Sequence, residues 1–506
     1  MRKLLGAGAL LLAGGAAIAA SGTGQNATDV QLCRQAPALT VLPAELAPAQ
    51  GQNLPAPETG VFTVPAPPAP PAPPPPPPPP PMAGRDTSGS DLMVTDTRGP
   101  SPAVTAPPPA APMREETAET PATPPVDGGV IWPYPRRSDP PAGLLTAGDH
   151  DDLLNPLLYA RYAFRAMRDL GQQVTDLPRV DTRQTLTVEV RDASGRPTPF
   201  VSVRVDCADG NALEFTTMAD GKVTLFPALD RLGQRVTLSV PGARREVVFG
   251  DDAGSQVQTL VTQASARSVR AFDLMIALDA TGSMGDEIRF LRSELQAILQ
   301  QLRRDYPGLD IRVGLVSYRD VGDDYVTWTL PMSSNLAATH ARLSRVEANG
   351  GGDMPEAMDQ ALIRAVGQAW RPNAVRSLLL VADAPPHNDK QGLAFAAVEA
   401  ARARRVQIVP VASSGVDDRA EYFMRAAAAL TQSRYVFLTD DSGIGNSHAE
   451  PAVDCYVVTS LASSIRRVLA SHVGGVRIEP RPTDIIRISG RYDNGRCVLP
   501  PNFEVQ

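Results

Sequence analysis

The chain has 506 residues, too many for one compact core, so two or more domains joined by linkers are expected. It contains 50 Pro and 40 Gly, with the prolines gathered toward the N-terminus, and carries a net charge of −7 with a pI near 5.4. That acidity argues against a nucleic-acid partner, which normally requires a basic surface.

Residues 1–20 begin with the basic pair Arg2 and Lys3 and continue as a small-and-apolar run ending in Ala17, Ala19 and Ala20. This is the pattern of a secretory signal peptide, with an uncleaved membrane anchor as the competing reading. No cysteine closes the run, which disfavours a lipoprotein. No later segment has the roughly 18 continuous apolar residues of a membrane helix, so no span is expected after cleavage. The expected location is the bacterial periplasm or the extracellular space. The four cysteines agree with an oxidising compartment. Cys455 and Cys497 lie in the same C-terminal region and are expected to pair. Cys207 reads as a small buried hydrophobe in a strand rather than as a partner of Cys33.

Residues 21–143 lack hydrophobic periodicity and contain "PAPPAPPAPPPPPPPPPM" at 65–82. Proline has no amide donor, so this run favours an extended polyproline helix, a spacer more than a docking peptide. Residues 144–183 read as a helical segment, with Asn155 or Asp152 as a cap and Leu158, Tyr162, Arg165 and Met167 at helical spacing. Asp149, Asp151 and Asp152 are expected to form a charged capping loop rather than a calcium site. In 184–262, "TLTVEVRD", "FVSVRVDC", "KVTLFP" and "VTLSV" alternate between Gly, Pro and Asp turns, which predicts a small antiparallel β-sandwich. The stretch "TTMADGKVTLFP" resembles the transthyretin-like or carboxypeptidase-regulatory sandwich.

From 268 to 472 apolar runs without polar alternation are each followed by a helical pattern. "FDLMIALD", "IRVGLVSYRD", "YVTWTL", "RSLLLVAD", "VQIVPVA" and "RYVFL" are the predicted strands. The first predicted helix places Ile288, Leu291, Leu295, Ile298 and Leu302 on one face. The last runs through "VDCYVVTSLASSIRRVLASHV". The fold class is therefore α/β, a doubly wound, mostly parallel sheet. Residues 473–506 form a C-terminal extension whose chemistry is silent.

In such a sheet ligands bind beyond the C-terminal ends of the strands. Asp279 ends the first strand in "LMIALDATGSMGDEI", followed by Thr281 and Ser283 at alternate positions. Three oxygens in a tight turn suit a hard cation such as Mg²⁺, Mn²⁺ or Ca²⁺. An ordinary strand-to-helix turn with Ser283 as N-cap explains them equally well. "NGGGDMPEAM", with Asp353 and Glu356, and "LLLVADAPPHND", with Asp383 and His387, add two more oxygen-rich loops. Glu356 reads first as a charge at a helix start, and His387 first as a turn-stabilising residue.

These three motifs in order resemble the von Willebrand factor A domain, and "DATGSM" resembles its metal-ion-dependent adhesion site. "GGGDxPE" and "ADAPPH" resemble the subgroup that includes hemicentins and the von Willebrand α-kinases. The resemblance covers about two-fifths of the chain and implies a divalent cation held by Asp279, Thr281, Ser283, Asp353 and Asp383. Thr281 keeps the hydroxyl of the family's Ser, whereas Asp353 replaces a Thr and would neutralise more of the metal's charge. The implied partner is a protein, engaged in part through an acidic side chain, with Arg319, Glu356 and His387 as candidate contacts. No G-x-S-x-G, H-E-x-x-H or Walker motif is present. The expected function is an exported, non-enzymatic, metal-dependent interaction module. An envelope scaffold whose metal only holds loops is the alternative, and a metal-dependent hydrolase ranks below both.

Overall fold

The computed structural model describes residues 31–45 and 145–503, apart from 175, 176, 178, 251–253, 353, 444–449, 500 and 502. The signal-peptide reading of 1–20, the proline run and the ligand Asp353 lie outside the described residues.

A nine-stranded sheet forms the centre of the described residues. Its parallel part contains β9 (Ala271–Asp279), β10 (Asp310–Tyr318), β12 (Val375–Ala382), β13 (Val406–Ala412) and β14 (Tyr435–Thr439), with β11 (Thr327–Ser333) antiparallel on the β10 edge. These strands are buried almost end to end, as expected when helices cover both faces. Helices α3 (Gly285–Asp305) and α8 (Leu461–Gly474) contribute to the core on one face. On the other lie α5 (Met358–Val366), α6 (Gln391–Ala403) and α7 (Asp418–Leu430). The predicted stripe Ile288, Leu291, Leu295, Ile298 and Leu302 is buried along α3.

The sheet continues past β14 in a way the sequence pattern did not signal. Residues 144–183 do not form only a helical segment: β1 (Thr146–His150) inserts between β14 and β15 (Tyr456–Ser460), and α1 (Pro156–Leu170) follows. The first part of the expected last helix is β15 itself, and the C-terminal extension adds β16 (Arg487–Ser489) to the edge. The sheet order is β11-β10-β9-β12-β13-β14-β1-β15-β16.

Buried charges hold β1. Asp149 pairs with Arg434 at 3.0 Å and Arg467 at 2.8 Å, all three buried. Burial alone would push its carboxyl up, but Arg467 and Arg434 hold it well below the usual carboxylate range. Asp152 meets the buried Arg425 at 2.7 Å, and that guanidinium lies 3.7 Å from the Tyr162 ring centroid. The solvated capping loop is thus corrected for Asp149 and Asp152. Only Asp151 serves the local turn, accepting from the Leu153 amide at 3.1 Å. Asn155 makes no side-chain cap to α1; it bonds Gly495 and Cys497 of the C-terminal extension.

Residues 184–262 form two small sheets around one core, inserted between α1 and β9. One contains β2 (Leu186–Arg191), β5 (Lys222–Leu225) and β8 (Gln256–Val261). The other contains β3 (Ser202–Cys207), β4 (Ala212–Thr216), β6 (Arg235–Val240) and β7 (Ala243–Val248). The arrangement is not wholly antiparallel, because β2 and β8 pair in parallel. This unit is docked on α6 by Arg402, which forks onto Asp230 at 2.6 and 2.8 Å.

Part of the expected proline-rich linker is a fixed strap. Cys33 is disulfide-bonded to Cys207, contrary to the expectation of a lone buried thiol there. Arg34 pairs with Glu399 on α6 at 2.9 Å, and Glu45 accepts from the Thr329 amide at 3.0 Å on the edge strand β11. Cys455 and Cys497 are bonded as expected.

Two outcomes test this architecture. Asp149→Ala leaves two buried guanidinium groups without a counter-ion and should cost about 3–5 kcal/mol in urea unfolding, whereas Asp493→Ala, exposed at the end of a two-residue hairpin strand, should cost under about 0.5 kcal/mol. Replacing Cys455 and Cys497 together by Ser opens a bridge with a sequence separation of 42, and should lose about 4 kcal/mol in the chain-entropy model.

Candidate functional site

The chain leaves β9 in one direction to β10 and later returns on its other side as β12. Reversal of strand order opens a crevice at the C-terminal ends of these strands. Asp279 is the last residue of β9, and Asp383 directly follows β12, whose Val381 is in register with Leu278. Pairing of adjacent parallel strands therefore brings the first and third predicted loops together.

The first loop is organised by Asp279. Its Oδ1 accepts from the Thr281 amide at 2.9 Å and the Thr281 hydroxyl at 2.7 Å. Ser283 sits in a single 3₁₀ turn, Gly282–Met284, and is not the N-cap of α3, a position held by Met284. The simple capping explanation of Ser283 is thereby removed. Its hydroxyl instead faces Asp383 and favours that carboxylate's ionised form. The second loop packs on the first through Gly282 N to Gly350 O at 3.1 Å and Asn349 N to Ala280 O at 3.0 Å. Gly350 and Gly351 have φ of +78° and +69°, a conformation glycine adopts without cost. A Cβ on Gly350 would stand 2.5 Å from the Asp323 carboxylate.

Acids accumulate here without cations to match. Asp279, Asp383, Glu356 and Glu287 are 0, 3, 4 and 1 % exposed. Among the described residues the buried atoms Asp279 Oδ2, Glu356 Oε2 and Glu287 Oε2 have no partner within hydrogen-bond geometry, with the equally buried Tyr318 hydroxyl facing Asp279. Burial and the Asp383 charge push Asp279 up, and burial with the Glu287 charge outweighs Ser283 to push Asp383 up. Burial, then Asp279, Asp320, Asp383 and Asp323, push Glu356 up to about 9. A buried carboxylate without a countercharge is costly. Hard oxygen donors from Asp279, Thr281, Ser283 and Asp383 suit a divalent cation. Among the described residues no three His, Cys, Asp or Glu groups form a ready-made metal cage.

The other candidates fall differently. Arg319 is corrected as a partner contact: it is buried, donating to Ala280 O at 3.2 Å and Glu347 O at 3.0 Å and stacking on Tyr325. His387 bonds Asp320 at 2.6 Å and remains partly exposed, a geometry that fastens the third loop to the β10 loop. Glu356 is neither a solvated helix-start charge nor exposed to a partner; its amide donates to Pro385 O at 3.0 Å, which turns it inward. Glu287 was not singled out from sequence, and "SYRDVGDDY" offered Asp320 and Asp323 only as surface ion-pair partners of Arg319; instead Asp320 bonds His387, Asp323 accepts from the Gly351 amide at 2.9 Å, and Arg319 pairs with Asp324. Val321 and Met354 expose apolar side chains at 65 and 43 % on the loops flanking the acids.

The elevated acids set the pH dependence of the chelator-treated protein. An acid whose folded pKa is raised contributes stability fully present below its unfolded value near 4 and lost as pH rises through the folded value. The melting temperature in EDTA should therefore fall by at least about 4 °C between pH 5 and pH 9. Circular dichroism melts at pH 5, 7 and 9 check this; a flat or rising profile contradicts it.

Residues 273–447 match the family model described as von Willebrand factor A domain. The chain is 30% identical over 129 residues to the alpha-protein kinase vwkA of Dictyostelium discoideum, covering 25% of this chain and 20% of that protein. It is 33% identical over 116 residues to the putative ariadne-like RING finger protein R811 of Acanthamoeba polyphaga mimivirus, covering 23% and 11%. The chain thus spans a fifth or less of these relatives' lengths. Among solved structures, it is similar to a von Willebrand factor type A protein from Catenulispora acidiphila at 13% identity and a TM-score of 0.28, covering 57% of this chain and 49% of that one. It is also similar to the pilus adhesin SpaC from Lactobacillus rhamnosus GG at 12% identity and a TM-score of 0.30, covering 48% and 31%. The family match and the mixed, mostly parallel sheet flanked by helices together identify a von Willebrand factor A domain within this chain.

Proposed function

We propose that this chain is an exported interaction module that recruits a protein partner in the bacterial envelope through a divalent cation held by Asp279, Thr281, Ser283 and Asp383, with Asp353 as a further ligand. The observation that carries the reading is the meeting of buried, unpartnered carboxylate oxygens with two hydroxyls at the strand-order reversal. When bound, a cation there supplies positive charge and open coordination to an incoming oxygen. The chain's own residues orient that site: Asp279 gathers the first loop, and the glycine loop closes over it. Exposed Val321 and Met354 offer apolar contact beside the acids, as a binding rim does.

Two disulfides support export, because such bonds persist in oxidising compartments. A hydrolase reading has less support. Among the described residues the site is made of acids and hydroxyls, with no nucleophile set beside a base, and His387, bonded to Asp320, fastens two loops together. The scaffold reading is also weaker, since the loops are already tied by backbone hydrogen bonds and do not need a metal merely to stay together.

The test is affinity capture from envelope extract with the wild type and Asp279→Ala, each with and without EDTA. One or more proteins should be retained by untreated wild type and lost both on chelation and in the variant. An identical captured set under all four conditions rejects metal-dependent recruitment.

A further inference from the structure

Arg467 of α8 uses one nitrogen of its guanidinium. Nη2 donates to Asp149 Oδ1 at 2.8 Å, Ser464 Oγ at 3.2 Å and Thr459 Oγ1 at 3.4 Å. The side chain is 2 % exposed, and its buried Nε and Nη1 have no hydrogen-bond partner among the described residues. Idle buried donors on a charged group are unfavourable and call for a partner. Asp149 does not supply it, because its other oxygen accepts from Arg434 at 3.0 Å. One carboxylate thus answers two guanidinium groups.

Arg467 lines a groove of about 570 Å³ between the C-terminal end of α3, α8 and residues 478–484 of the C-terminal extension. That volume is typical of small-molecule sites. The acids of the groove are committed elsewhere. Asp305 pairs with Arg466 at 2.9 Å and Asp484 with Arg481 at 2.9 Å, while Glu479 accepts from Arg477 and from the Tyr492 hydroxyl. With Arg466, Arg467 and Arg481 against these three acids, the lining is neutral by formal count. Such a balance suits one negative charge better than a multiply charged anion. Tyr306, Ala470 and Ile478 add apolar wall, and the Tyr306 hydroxyl donates to Ala470 O at 2.8 Å, which fixes the ring.

We propose that this groove binds a small monocarboxylate with a short apolar body, whose carboxylate accepts from Nε and Nη1 of Arg467. The bound carboxylate gives Arg467 a second counter-ion and converts its idle donors into charge-assisted hydrogen bonds. The apolar body lies along Tyr306, Ala470 and Ile478. None of the lining residues belongs to the three loops around Asp279, so binding here needs no cation. The C-terminal extension supplies one wall, which gives that segment a role in recognition.

The experiment titrates hexanoate into the full chain by calorimetry in EDTA, which removes any cation that could itself hold a carboxylate. Hexan-1-ol and inorganic phosphate are the comparisons. Wild type should bind hexanoate with a dissociation constant on the order of 1 mM, and neither comparison measurably. Arg467→Lys keeps a cation for Asp149 but lacks Nε and Nη1, and should bind at least about tenfold more weakly. Ile478→Glu leaves Arg467 and Asp149 in place and puts a competing carboxylate in the groove. It should show a similar loss, and it decides the matter if Arg467→Lys does not fold. No hexanoate binding by wild type is the result of a groove filled by water alone and overturns the inference. So does equal binding of hexan-1-ol, binding of phosphate without hexanoate, or unchanged affinity in either folded variant.

Discussion

The ion pairing of Asp149 with Arg434 and Arg467 is the interaction on which the architecture turns. β1 arrives from outside the contiguous α/β segment and pairs with β14 on one side and β15 on the other. Without it two strand edges would stand open in the interior of the sheet, each with unpaired amides and carbonyls. The guanidinium groups of Arg434, just before β14, and of Arg467 on α8 converge on one carboxylate of β1, and the Asp152–Arg425 pair repeats the device two residues beyond the strand. A buried pair contributes little net stability over an apolar one, but each partner is strongly destabilising alone. Such charges therefore select one register and one partner for β1 more than they add stability. Gly148 reinforces the selection, since a Cβ there would clash with Phe437 and Tyr456.

The same sheet treats charge oppositely around its C-terminal crevice. Around β1 every buried acid faces an arginine; around Asp279 and Glu356 the acids face each other. Arg319 donates to Ala280 O and Glu347 O and pairs with Asp324 at 3.4 Å, so it braces the loops without pairing with Asp279, Asp383 or Glu356 among its described contacts. A fold able to bury arginines against Asp149 and Asp152 but leaving Asp279, Asp383 and Glu356 uncompensated concentrates its unfavourable electrostatics in one place. Strain of that kind is characteristic of functional sites.

The two peripheral parts are joined to the α/β core by charge and covalent bonds as well as by apolar contact, Phe226 and Leu229 of the inserted unit belonging to the same buried cluster as the sheet. Arg402 reaches from α6 to Asp230 between the rings of Phe215 and Phe226, at 4.8 and 5.2 Å to their centroids. The strap from Cys33 to Glu45 crosses from the inserted sandwich to the edge strand β11. Glu45 occupies the Thr329 amide and hydroxyl on that edge, which limits strand addition there by other chains. The disulfide between Cys455 and Cys497 and the Asn155 bonds do the same for the C-terminal extension.

The sequence by itself determined the α/β class, the order of the strands from β9 to β14 and the stripe of α3, because these rest on local periodicity and contiguous burial. It also placed Asp279, Thr281, Ser283 and Asp383 in loops at strand ends, since a run of apolar residues ending in an oxygen donor is a local pattern. Only the tertiary structure decided that "TAGDH" is a central strand: five residues with an acid and a histidine carry no strand signal until Arg434 and Arg467 surround them. The fate of "VDCYVVTS" as β15 rather than helix depends likewise on pairing with β1, a contact more than 300 residues away in sequence. Arg319, Glu356 and the Cys33–Cys207 bridge were misread or left open for one reason. Burial, direction and pairing of a side chain are set by what packs over it, and spacing along the chain does not encode that.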